Sequence, residues 1–117
     1  MKKILFLIII ALLMRLFSIT QNPFLWTWDE AYHAVVAQNL SKHMHKPTLY
    51  DDRIIAYDQF EWALNHIWSH KPPLMLWFMA VSLKIFGAQT WAVRTPSVIL
   101  STLSIVLVYL IFVKLYS

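Results

Sequence analysis

Residues 95–113 read TPSVILSTLSIVLVYLIFV, nineteen residues without one charged side chain. A helix of about 20 apolar residues, rising 1.5 Å per residue, crosses the hydrocarbon core of a bilayer. This stretch sets the class: a membrane protein rather than a soluble domain. The composition agrees. Hydrophobic residues make up 59% of the 117-residue chain and charged residues 14%, against about 45–50% and 25% in soluble chains. A soluble fold of this length would have to bury six Trp, seven Phe and five Tyr beneath very little polar surface. One glycine excludes collagen, Gly-rich linkers and most Gly-looped nucleotide sites, and zero cysteines exclude a disulfide framework or a thiolate metal site.

Working outward from that stretch, two more candidate spans precede it. Residues 4–19 are apolar apart from Arg15 and follow Lys2-Lys3, and residues 72–93 carry one charge, Lys84. The second is the weaker signal. Its charge-free part, residues 72–83, needs Lys84 to snorkel toward a headgroup layer. The first also has the Lys-Lys start of a secretory signal peptide, but no small-x-small cleavage site follows its apolar core. The expected fold is therefore all-α membrane, with three transmembrane helices at about 4–20, 72–93 and 95–114 and an outer loop at about 21–71.

The formal charge of +4 is unevenly placed. All six acids fall between Asp29 and Glu61, while Lys2, Lys3, Arg15, Lys84, Arg94 and Lys114 stand outside residues 21–71 without a single acid. No basic face follows a phosphate backbone, so nucleic acid is excluded as a partner. The cations read as topology. Lys2 and Lys3 place the amino terminus in the cytoplasm and residues 21–71 on the outer face, with the Lys84-to-Arg94 connection inside again. Lys114 then falls outside, against the trend.

The outer loop is too aromatic for a disordered linker. Trp26, Trp28, Tyr32, Tyr50, Tyr57, Phe60, Trp62 and Trp68 suit a segment lying at the interface. Two helical stripes are predicted within it: Trp28, Tyr32, Val35, Val36 and Leu40, then Phe60, Leu64, Ile67 and Trp68. Residues 41–53, polar and interrupted by Pro47, read as loop between them.

Asp29-Glu30 follows the first span. Thr27 and Glu30 have capping-box spacing, and acids in a first turn favour the helix dipole. The same carboxylates, beside a bilayer and flanked by aromatics, can act as a general base toward a hydroxyl, and His33 shares the face of Asp29. In the second constellation, residues 66–74 (HIWSHKPPL), Pro72 and Pro73 suit a helix start. Lys71 at that mouth is either an interfacial anchor or a cation for a lipid-linked phosphate. His66 and His70 are four apart, as metal ligands on a helix would be, but no third ligand follows at fixed spacing. Arg94-Thr95-Pro96-Ser97 opens the third span and, on this topology, lies inside and far from Asp29. Arg15 is an intramembrane cation and so a functional candidate by default.

Taken in order, these motifs resemble one family. The apolar span, Asp29-Glu30-Ala31-Tyr32, Ala37-Gln38-Asn39-Leu40, His70-Lys71-Pro72-Pro73-Leu74 with Trp77, Phe86-Gly87 and Arg94-Thr95-Pro96-Ser97 look like the amino-terminal part of a polytopic enzyme. That enzyme type is the polyprenyl-phosphate-dependent membrane glycosyltransferase of the C-type fold, which includes protein O-mannosyltransferases and lipid A aminoarabinose transferases. The resemblance implies transfer of a sugar from a polyprenyl-phosphate donor to a hydroxyl acceptor, a glycolipid, glycan or protein, on the outer face with inversion. It makes Asp29 the catalytic carboxylate with Glu30 beside it, and Lys71 a contact of the lipid phosphate. His70, Tyr32 and His33 join Lys71 as expected substrate-binding residues; His70 stands where some relatives carry Glu. The donor already holds a good leaving group, so the chemistry requires no metal or other cofactor. Members of that family are several times longer, so the chain is expected to be an incomplete fragment, inactive alone. The rival expectation is a small non-catalytic membrane subunit that pairs with a larger partner through its spans. A proton relay through Arg15, Asp29 and His33 is disfavoured, since only one charge lies within the first span.

Overall fold

Nothing between Lys2 and Gln21 interrupts a helix, and Pro23 then disfavours helical backbone at Asn22. A helix spans Lys2–Gln21 (α1), followed by Asp29–Lys42 (α2), Leu74–Phe86 (α3) and Thr90–Tyr116 (α4). This computed structural model describes residues 2–52, 54 and 56–116, with side chains from Ile4 onward. Arg53, the end of the expected polar loop, lies outside the described residues, as do Met1, Ile55 and Ser117. Among the described residues there is no strand.

Two helices are long and apolar enough to cross a membrane, α1 from Ile4 and α4. Neither is a soluble core helix. None of the apolar window of α1 is buried and only 6% of that of α4, so Leu5, Phe6, Leu13, Phe17, Leu107 and Phe112 face outward. Apolar surface of that extent marks a lipid-facing pair. The two run antiparallel: Arg15 Nε donates to Ser101 Oγ at 2.9 Å, and Arg94 Nη1 reaches the Ile19 carbonyl at 3.4 Å.

The expectation of a helix over 72–93 is corrected. α3 is 13 residues, about 20 Å long at 1.5 Å per residue, against about 30 Å of bilayer core. It stops at Gly87, whose φ of 82° is left-handed backbone that a side chain resists, and whose N–H caps the Leu83 carbonyl at 2.8 Å. Residues 90–93 belong to α4. Three spans thus become two, with α3 folded back on α4. Lys114 then shares an end with the start of α1, while Arg94 and Lys84 pass to the side that carries Asp29.

Pro96 explains how α3 is fastened. Inside α4 it has no N–H to give the Ala92 carbonyl four residues earlier. Ser82 of α3 supplies the missing donor, its Oγ bonding Ala92 O at 2.6 Å in a buried setting. α2 completes the packing. Val36 and Leu40 meet Leu49, Trp68, Leu76 and Ala80, while Ala34 and Ala37 meet Leu83, Ala92 and Val93. The buried core therefore lies where α2, α3 and the start of α4 converge, and the outer lengths of α1 and α4 are left for lipid.

The first predicted stripe is helical from Tyr32 to Leu40, in α2, but Trp28 stands just before the helix. The second is not. Leu64 and Asn65 N–H both reach Glu61 O in a single turn, and the helix goes no further. Asp58 Oδ1 takes the Phe60 N–H at 2.8 Å and Asn65 Oδ1 the Ile67 N–H at 3.0 Å, local bonds that compete with a helix. Trp68 N–H goes instead to Pro47 O at 2.7 Å, tying this segment to the loop after α2.

Candidate functional site

The seven residues between α1 and α2 turn the chain back so that Asp29 and Glu30 open α2 at the end where α1 stops and α4 starts. The capping box does not form. Trp28, not Thr27, precedes the helix, with φ 71° and no side-chain cap. A bulky residue at positive φ stores backbone strain, here one position before Asp29. Glu30 Oε2 instead accepts the Trp26 N–H at 2.6 Å.

Glu30 and Asp29 face different partners. Arg94 Nε donates to Glu30 Oε1 at 2.6 Å and Nη2 to Oε2 at 3.0 Å, a bidentate pair whose side chains are only 13% and 21% exposed. The remaining N–H groups of Arg94 go to carbonyls at the end of α1 and just beyond it: Ile19 at 3.4 Å, Asn22 at 2.7 Å and Phe24 at 2.9 Å. All five guanidinium donors are used. One residue of α4 thus clamps the exit of α1 to the first turn of α2. The Arg94 hydrogen bond holds the Glu30 carboxyl below its usual pKa, against the opposing effect of burial, with help from the Trp26 N–H. Arg94 therefore lies at the Asp29 end of the molecule, which corrects the expectation that it sits far away on the opposite side. Two antiparallel helices, not three, cause the difference.

Asp29 Oδ1 meets Lys71 Nζ at 2.9 Å, with the carboxylate side chain 79% exposed. The Lys71 hydrogen bond, then its charge, lower the Asp29 pKa, with smaller contributions from His33 and His70. Pro72 and Pro73 fix the approach, since Pro73 stands helical immediately before Leu74 and leaves Lys71 outside α3. His33, one turn after Asp29, is pushed down first by burial and then by Lys71, which favours the neutral ring with its lone pair.

An aromatic wall stands behind this pair. Tyr32 stacks on Trp68 with ring centroids 6.3 Å apart and meets Trp62 edge-on at 5.3 Å. His70 stacks on Trp62 at 5.2 Å, and His33 meets Trp68 edge-on at 6.2 Å. Of the six residues singled out from sequence, Asp29, Tyr32, His33, His70 and Lys71 are brought to one place, and Glu30 turns away into its own pair. His66 and His70 do not share a helix face: His66 lies against Tyr57 at 4.4 Å and His70 against Trp62. Among the described residues no group of three or more His, Cys, Asp or Glu side chains can hold a metal ion.

Sequence reasoning missed Arg94 and the wall residues Trp62 and Trp68. The signal for Arg94 was present: the charge-free part of the second candidate span was too short, and the sole glycine stood before an arginine at the head of the strongest span.

Residues 70–117 match the dolichyl-phosphate-mannose-protein mannosyltransferase family. No curated protein and no solved structure matches the chain. The match begins at His70-Lys71 and covers α3 and α4, with Arg94, and stops short of Asp29 and Glu30. It supports a mannosyltransferase-like glycosyltransferase family, and the two apolar helices support a membrane protein.

Proposed function

We propose that this chain carries part of the active site of an integral membrane glycosyltransferase of the C-type fold. The reaction moves a sugar from a polyprenyl-phosphate donor to a hydroxyl acceptor. The observation that carries this reading is the Asp29–Lys71 pair at 2.9 Å, set against an aromatic wall at the end of two lipid-facing helices. The acceptor oxygen attacks the anomeric carbon from the face opposite the phosphate, giving inversion. Its proton passes to Asp29, and the C–O bond to phosphate breaks with the electron pair leaving on the polyprenyl phosphate, whose charge Lys71 stabilises. Both residues have two states in this scheme. While Lys71 is on Asp29, the carboxylate is ionised but a weak base. A donor phosphate that draws Lys71 away raises the Asp29 pKa, so base strength arrives with the substrate.

Glu30 acts through its clamp to Arg94, which fixes the first turn of α2 and with it Asp29. Tyr32, His33 and His70 line the approach to the pair. No step calls for a metal or other cofactor. The amino terminus is cytoplasmic and the site faces outward, a reading that rests on Lys2, Lys3 and Lys114 at the far ends of α1 and α4. Asp29 is so exposed that further protein must close the site before water is excluded from the reaction, consistent with a chain that is inactive alone. The test is sugar transfer in membranes containing the complete enzyme. Asp29→Asn should abolish transfer from a polyprenyl-phosphate sugar while membrane insertion persists. Transfer at the wild-type rate overturns the assignment.

A further inference from the structure

Arg15 contrasts with Arg94. It lies on the α1 face toward α4, six residues and about 9 Å of helix rise before the end of α1 at Gln21. Its Nε donates to Ser101 Oγ at 2.9 Å and its Nη1 to Ala11 O at 3.1 Å. A guanidinium has five N–H donors, and among the described residues the other three meet no acceptor. An arginine left so in an apolar span requires an anion or water.

A groove of about 640 Å³ opens beside it between α1 and α4. Arg15 and Ser18 stand at one end, and Leu7, Ile10 and Ile105 make an apolar track leading away from them. Leu7 is eight residues from Arg15, about 12 Å along the helix. One polar end and one apolar track in a single lipid-facing groove fit an amphiphile. The spans of a second copy do not provide the anion, because every acid of this chain falls between Asp29 and Glu61.

We infer that Arg15 and this groove bind one anionic phospholipid, its phosphate at the guanidinium and Ser18 and an acyl chain along Leu7, Ile10 and Ile105. The site is separate from the Asp29–Lys71 pair and does not depend on the function proposed there. It gives α1 and α4 a shared lipid at the depth where the Arg15–Ser101 hydrogen bond joins them.

Native mass spectrometry of the detergent-purified chain, titrated with dioleoylphosphatidylglycerol or dioleoylphosphatidylcholine, tests it. The expected result is a one-to-one phosphatidylglycerol adduct about tenfold tighter than the phosphatidylcholine adduct. Arg15→Gln should remove that preference, and Ala11→Phe, which fills the groove while keeping the Arg15 charge, should weaken both adducts. Ser101→Ala and Lys71→Gln should leave the preference intact. Should Arg15→Gln fail to fold, Arg15→Lys keeps the charge with fewer planar donors and should retain only part of the preference. An unchanged phosphatidylglycerol preference in Arg15→Gln or Arg15→Lys overturns the site. So does its loss in Lys71→Gln, competition by sn-glycerol 3-phosphate at equal concentration, or conversion of a dimer to a monomer by Arg15→Gln.

Discussion

Arg94 meets Glu30 across 64 residues of sequence through two hydrogen bonds, 2.6 and 3.0 Å long, while its other donors hold the end of α1. The pair is mostly shielded, so removing one partner strands the other. Arg94→Ala should destabilise the fold by about 3 kcal/mol, as for one half of a buried pair. Arg94→Lys keeps the charge but cannot form the fork and should recover only a minority of that loss. Chemical denaturation in detergent measures both; equal stability of the lysine variant and the wild type sinks the clamp.

The same pair sets an acid limit. The Glu30 pKa is lowered in the folded state, so its contribution is fully present above the unfolded-state value of about 4.3 and is lost as pH falls through the lower folded value. Glu30→Gln should therefore be less stable than wild type at neutral pH and show a flatter profile in acid. Melting temperatures across that range check it, and parallel profiles count against it.

Ser82 and Pro96 make a second coupled pair. Ser82→Ala leaves the buried Ala92 carbonyl without a donor and should lower stability by about 1–3 kcal/mol. Pro96→Ala restores the helical N–H to that carbonyl, so adding Ser82→Ala to it should be close to neutral. A double-mutant cycle reads the coupling, and additive losses contradict the account.

Gly87 tests the break between α3 and α4. A Cβ there meets nothing within 4 Å, so Gly87→Ala isolates the backbone strain of positive φ. The expected loss is about 1–2 kcal/mol, with no repacking seen in the neighbouring amide signals. A neutral outcome means that α3 and α4 are joined by ordinary backbone.

How much of this was legible follows from which residues act locally. Residues 95–113 declared a membrane helix, and Asp29 and His33 declared a shared helix face, because period and apolarity are properties of neighbouring positions. Lys71 was placed by Pro72-Pro73, again a local effect. Arg94 was misplaced because side depends on how many helices cross, and the decision between a span and a short folded-back helix rests on Gly87 and on Ser82 supplying what Pro96 lacks. Phe60 to Trp68 had helical spacing, but Asp58 and Asn65 redirected the backbone into turns. The wall of Trp62 and Trp68 forms only once the Trp68 N–H finds Pro47, a partner 21 residues earlier.

The Asp29–Lys71 pair gives the last prediction. Asp29 is well exposed and Lys71 partly so, so the pair adds little to stability, and its consequence is protonation. Lys71 is the largest cause of the low Asp29 pKa and the second cause, after burial, of the low His33 pKa. Lys71→Gln should therefore raise both titrations, each toward the ordinary value of its side chain, as carbon-detected NMR resolves. A polyprenyl phosphate that captures Lys71 should also raise Asp29, since the ammonium leaves and a negative charge arrives. His33 should rise for the same reason. If the phosphate shifts neither group in the wild type, Lys71 does not hold the phosphate beside Asp29, and substrate-linked activation of the base fails while the folded framework of α1 to α4 stands.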